Sequence, residues 1–149
     1  MRVILKYWLV VAVWMAVIFG GSSDAGSFQH SSRIIEPVLH WLFPKLDQEK
    51  VNFVVFLARK CAHVTEYAIL AMLIWRAIRQ PSRKDGRPWL WRQALWALYF
   101  AAFFATTDEI HQLYVPSREG CIRDVIIDTC GSAAGILVIR QIGCWRGRW

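Results

Sequence analysis

Four long apolar blocks constrain this chain more than any other feature. They cover residues 3–19, 62–78, 89–106 and 125–142. Each approaches or reaches the ~20 residues that a helix needs to cross a bilayer. Within them, residues 7–20 and 94–105 form nearly uninterrupted runs with no polar face. A soluble amphipathic helix shows an apolar stripe instead. A soluble four-helix bundle would have to hide both runs completely. At 149 residues the chain has room for one domain. The expectation is therefore an all-α polytopic membrane protein, a single unit over 1–149. Its four transmembrane helices are expected near 3–21, 51–79, 89–112 and 122–142.

The formal charge of +7 is a topology signal first. Eleven of the eighteen Lys and Arg residues fall in three places: the N-terminus (Arg2, Lys6), the second loop with its flanks (residues 76–92) and the C-terminus (Arg140, Arg146, Arg148). An even number of crossings puts all three on one side, which the positive-inside rule makes the cytoplasm. Of the eleven acids only Asp85 lies there. This clustering accounts for the basic excess without nucleic acid, and the bilayer is the expected partner, with some attraction to anionic lipid. Trp75, Trp89, Trp91, Trp145 and Trp149 fall at the same edge, where an interfacial aromatic belt is expected.

The first block could also be read as a signal peptide, with Arg2 and Lys6 as its basic start. It has no AxA site and is longer than most signal-peptide cores, so a retained helix is expected. In the loop that follows, residues 31–43 place Ile34, Ile35, Val38, Leu39 and Leu42 near helical spacing, and Pro44 stops the run. That is either a helix lying on the outer leaflet or a plain connecting helix. Cys61, Cys121, Cys130 and Cys144 show no CxxC spacing and are read as small buried hydrophobes, although Cys61 and Cys121 could pair near the outer surface.

Polar residues gather at the opposite, outward end. The second block brings Arg59, Lys60, His63, Glu66 and Tyr67, with Arg59, His63 and Glu66 on one helical face. The third ends in Thr107, Asp108, Glu109, His111 and Gln112, of which Asp108, His111 and Gln112 share a face. The fourth opens with Arg123 and Asp124. Asp124, Asp128, Gly131 and Gly135 then form one stripe, and the GxxxG spacing turns it toward another helix. An ionisable group in the bilayer costs about 3 kcal/mol or more unless paired or hydrated, so such a set is a functional hypothesis by default.

The acids among these residues could hold a divalent cation through oxygen ligands, although no standard metal motif is present. His63 and His111, with Glu66, Asp108, Glu109 and Asp124, are candidates for acid–base catalysis. Arg59, Lys60, Arg118 and Arg123 could grip an anionic head group, with Tyr67, Gln112 and Asp128 completing the binding set. The alternative is that the charges only lock the bundle, Arg59 on Asp124 or Asp128 and His63 on Glu66. The absence of GxSxG, HExxH and P-loop motifs disfavours serine hydrolases, zinc proteases and nucleotide-driven pumps.

The stretch Thr107-Asp108-Glu109-Ile110-His111-Gln112-Leu113-Tyr114-Val115-Pro116 continues through Arg118 and Asp124 to Gly131 and Gly135. With Arg59-Lys60-Cys61-Ala62-His63-Val64-Thr65-Glu66-Tyr67, it resembles the marked segments of the VanZ-like membrane proteins. Two departures are visible: Asp128 stands where that family more often has Asn, and Ser117 where Gly is common. The resemblance implies a cell-envelope membrane protein, the family being named for a member linked to resistance to the glycopeptide teicoplanin. It implies no settled activity. Three readings follow: a protein that binds or acts on a lipid-linked or cell-wall precursor at its outer face; a non-enzymatic membrane factor; and a small ion- or proton-coupled permease using Glu66 and Asp128. Four helices without an inverted repeat are few for the last.

Overall fold

The computed structural model describes residues 2–23, 28–82, 85–116 and 120–149, with side chains from residue 5 in the first stretch and from residue 31 in the second. The described residues form five helices and no strand: α1 (Arg2–Gly21), α2 (Phe28–Leu42), α3 (Gln48–Arg79), α4 (Trp91–Gln112) and α5 (Ile122–Trp145). The four apolar blocks become α1, α3, α4 and α5, and the amphipathic run before Pro44 becomes α2. α3 ends where Gln80 turns left-handed (φ 47°) and returns its N–H to the Arg76 carbonyl, immediately before Pro81, which cannot continue a helix.

α3 packs against each of the other four helices, and α5 also packs on α4. Contacts at the two ends set the directions. Tyr7 donates its hydroxyl to the Pro81 carbonyl (3.1 Å), while Ser22, at the other end of α1, reaches Asp108 near the end of α4. Trp14 Nε1 donates to the Glu66 carbonyl (3.0 Å) midway between. α1 and α4 thus run opposite to α3. The first helix contacts the bundle near both its ends and midway.

α3 and α5 run parallel at backbone contact. A Cβ placed on Gly131 would come within 2.6 Å of the Val64 carbonyl oxygen, and one on Gly135 within 2.3 Å of that of Ala68. Val64 and Ala68 are one turn apart, so the GxxxG stripe lies along a single ridge of α3. The stripe takes the inner face of α5 and leaves Cys130 outside. Cys61 and Cys144 are also exposed and Cys121 is partly so. The expectation of buried cysteines fails, and all four are free thiols.

The core between the helices is thin and built of small residues on α4, where Ala94, Ala97, Ala101 and Ala105 face inward. Large apolar side chains stand outward on every helix, for example Leu5, Leu9, Val13 and Val17 on α1 and Leu95, Tyr99 and Phe103 on α4. Soluble domains rarely present such a surface. By length and mean hydropathy, Gln48–Arg79 is long and apolar enough to cross a membrane, and Leu5–Gly21 is a shorter apolar helix. α4 and α5 are less apolar over their length, α4 closing on Thr106, Thr107 and Asp108 and α5 carrying Asp128, Thr129 and Ser132.

The start of α1, the described residues between α3 and α4 and the C-terminal turn converge at one end. Trp75 stacks on Trp89 (5.1 Å) and Trp149 packs against both. Gly147 (φ 60°) makes the return of Trp149 possible. Arg148 N–H reaches the Gly143 carbonyl (2.9 Å) and Gly147 N–H that of Cys144 (3.0 Å), a Schellman closure that seats the indole on Gly143. Of the five expected belt tryptophans Trp75 is therefore buried, Trp89 and Trp149 are half-buried against it, and Trp91 and Trp145 face out.

Candidate functional site

At the opposite end, three helix segments bring a layer of polar side chains inside the bundle. Ser22, Asp108, Glu109, Gln112, Asp128 and Ser132 are buried there, together with Tyr67. The layer has two parts.

The first is centred on Asp108, which is fully buried. Its Oδ2 accepts hydrogen bonds from Ser22 Oγ (2.6 Å), Tyr67 Oη (3.2 Å) and Gln112 Nε2 (3.3 Å), so α1, α3 and α4 meet at one oxygen. Gln112 also donates to Glu109 Oε1 (3.2 Å), and Glu109 Oε2 takes the Cys121 N–H (2.8 Å) at the start of α5. Gly120 permits that approach, because a Cβ there would sit 2.4 Å from the Glu109 carbonyl oxygen. Asp108 Oδ1 is buried and accepts no hydrogen bond.

The second part lies between α3 and α5, one turn above the glycine contact. Lys60 Nζ pairs with Asp124 Oδ1. His63 Nδ1 lies 3.8 Å from Asp128 Oδ2, which is electrostatic contact but too long for a hydrogen bond. Asp128 is only 1% exposed, and among the described residues neither of its oxygens accepts a hydrogen bond. Asp108 and Asp128 are within electrostatic range of one another, and Tyr67 is within range of both. A buried carboxylate with open lone pairs, beside an imidazole, can accept hydrogen bonds from a hydroxyl or amide that enters the layer. It can also exchange a proton with that imidazole.

The expected residues distribute as follows. Lys60, His63, Tyr67, Asp108, Glu109, Gln112, Asp124 and Asp128 belong to the two parts. Lys60, and not Arg59, takes Asp124, because Lys60, His63 and Tyr67 form the ridge of α3 that faces α4 and α5. Arg59 is half-buried beside it, within electrostatic range of Asp124. Glu66 is half-buried and holds Trp14 through its backbone carbonyl. His111 meets the same helix as Asp108, its ring lying against Phe19 of α1 at 4.0 Å, one turn before Ser22. Arg123 is exposed and makes no ion pair among the described residues. Arg118, expected as an anion ligand, lies outside them. Among the described residues no three of the His, Cys, Asp and Glu side chains converge as ligands of a metal ion would. Ser22 and Ser132 were not expected in the layer. Ser22 stands in a Gly-Gly-Ser-Ser helix stop, where composition signals only a break, and Ser132 donates to the Tyr67 carbonyl (3.3 Å) beside the glycine stripe.

The family model described as VanZ/LLP1 matches residues 7–143, from the first turns of α1 almost to the end of α5. The chain belongs to the VanZ/LLP1 family. The match spans both halves of the polar layer. No curated protein and no solved structure matches the chain.

Proposed function

We propose that this VanZ/LLP1 protein is a single membrane domain crossing the cell membrane four times, with both termini cytoplasmic. We further propose that its polar layer faces outward and binds, or acts on, a lipid-linked or cell-wall-related component of the envelope. The observation that carries the reading is Asp128. It is a buried carboxylate with no donor on either oxygen among the described residues, 3.8 Å from an imidazole and one turn below the Lys60–Asp124 pair. A carboxylate kept in a membrane helix without donors is costly unless a ligand supplies them. Lys60, Arg59 and Arg123 rim the same end and suit the phosphates of a lipid carrier. The outward apolar side chains of α1, α3, α4 and α5 support the four crossings, and the basic residues at the tryptophan end support its cytoplasmic placement.

The test uses full-length protein in lipid nanodiscs and a polyprenyl-pyrophosphate-linked muropeptide as the probe. His63→Ala and Asp128→Ala should each weaken binding by about ten-fold, equivalent to one charge-assisted hydrogen bond, with helicity and elution volume unchanged. Asp128→Asn, close in shape, keeps the test usable if the alanine variant does not fold. Binding unchanged in all three removes the proposal.

A second reading, a non-enzymatic membrane factor, is favoured by the three donors on Asp108 and by the Lys60–Asp124 pair, which join all four long helices. Under it the same substitutions lower folded yield and any teicoplanin phenotype together, and the muropeptide does not bind.

A further inference from the structure

The other end of the bundle holds a cleft of about 650 Å³ that the polar layer does not explain. Lys6, Arg76, Arg146 and Arg148 line it, with Tyr7 and Trp149 among its walls. Among the described residues none of these four cations has an acidic partner. Asp85, the acid in the lining, is occupied by Arg79 (Nε to Oδ2, 2.9 Å) and Arg87 (Nε to Oδ1, 2.8 Å). The cleft therefore has four uncompensated positive charges around one concavity.

Its walls are fixed. Trp149 is seated on Gly143 by the turn at Gly147, its indole donates to the Arg140 carbonyl (3.1 Å), and the Arg79 guanidinium lies 4.9 Å from its ring. Tyr7 is held by the Pro81 carbonyl and lies under the Arg76 guanidinium (5.7 Å). Ile139 and Ile142 complete the lining from α5, and Val138 and Ile142 continue outward as exposed apolar side chains. A ligand fitting these surfaces has an anionic head and an apolar tail. Lys6, Arg146, Arg148 and Trp149 all lie outside the stretch that matches the family.

We infer that this cleft binds the phosphate head group of an anionic phospholipid, with its acyl chain along the outer face of α5. A free phosphate shares the head-group chemistry but gains nothing from the isoleucine wall. The placement is independent of what the polar layer binds.

The experiment is native mass spectrometry of the full-length protein in a neutral detergent. The probes are phosphatidylglycerol and phosphatidylcholine of the same chain length, with glycerol 3-phosphate as competitor. Phosphatidylglycerol adducts should exceed phosphatidylcholine adducts by about ten-fold, and each of R76Q, R146Q and R148Q should weaken them by about five-fold. Glycerol 3-phosphate should fail to displace the lipid at the same concentration. Equal binding of the two lipids overturns the inference. So does unchanged binding by the three arginine variants, or displacement by glycerol 3-phosphate at equal potency. Tryptophan emission and helicity confirm that each variant is folded. If R76Q disturbs Tyr7, the exposed Arg146 and Arg148 carry the comparison.

Discussion

Asp108 and Asp128 are the same residue type at nearly the same depth, and the structure treats them oppositely. Asp108 is the acceptor on which three helices agree. Asp108→Ala leaves the Ser22 and Tyr67 hydroxyls without this acceptor and Gln112 with Glu109 alone, and should cost about 2–3 kcal/mol in unfolding measured in mixed micelles. Asp128 accepts no hydrogen bond among the described residues, so Asp128→Asn should be neutral or stabilising in that assay while still altering ligand binding. A loss at Asp128→Asn as large as that at Asp108→Ala would show an acceptor role there. Asp85, in the loop at the tryptophan end, is a third case. The hydrogen bonds from Arg87, and then those from Arg79, hold its carboxyl well below the usual carboxylate range. A depressed folded value means that its stabilising contribution is complete above the unfolded value, about pH 4, and is lost as pH falls through the folded one. Thermal stability should therefore decline below about pH 4, and Asp85→Asn should remove that component of the decline. The substitution should also cost about 3 kcal/mol at neutral pH, because Arg79 is only 2% exposed and would lose its counter-ion.

At the scale of elements, the contact between α3 and α5 determines the site. Gly131 and Gly135 let the two backbones touch, and the turn before them then carries Asp128 against His63 and Asp124 against Lys60. Gly135→Ala puts a methyl 2.3 Å from the Ala68 carbonyl oxygen, inside any tolerable contact. It should destabilise the protein by about 1–3 kcal/mol and weaken muropeptide binding from two turns away. An unchanged melting temperature would mean that the helices are not held at this distance. α2 is a different kind of element. It packs on α3, yet Ile34, Val38 and Trp41 stand outward along one face, as on a helix lying at a membrane surface.

For the whole molecule, the two ends differ in what they do with charge. At one end Lys60, Asp124, Asp128 and Asp108 are drawn between helices. At the other Lys6, Arg76, Arg146 and Arg148 are left open around a cleft. The proposed orientation is checked by single-cysteine variants in a background without the four native cysteines. Asn52→Cys, near the start of α3, should react with a membrane-impermeant maleimide in intact cells. Ser82→Cys should react only after permeabilisation. The reverse pattern would turn the molecule over and place the polar layer inside.

Helix identities, their approximate limits and the shared end of the termini and basic loop were legible in the sequence. Apolar block length and the placement of Lys and Arg are one-dimensional quantities, and they remain visible whatever the packing. The GxxxG stripe was legible too, because glycine at that spacing has one main use between helices. Pairings were not legible. Helical periodicity places Arg59, His63 and Glu66 on one face, yet the rotation of α3 presents Lys60, His63 and Tyr67 to the interior, a shift that only the contact with α5 decides. The seating of α1 beside the end of α4 sets Phe19 against His111, and it brings Ser22, which the sequence shows only as part of a helix stop, onto Asp108. The tryptophan cluster and the basic cleft beside it depend on one left-handed turn at Gly147, which joins residues that the sequence shows merely as a belt. Local pattern determined which residues reach each end of the bundle, and helix rotation determined which of them meet.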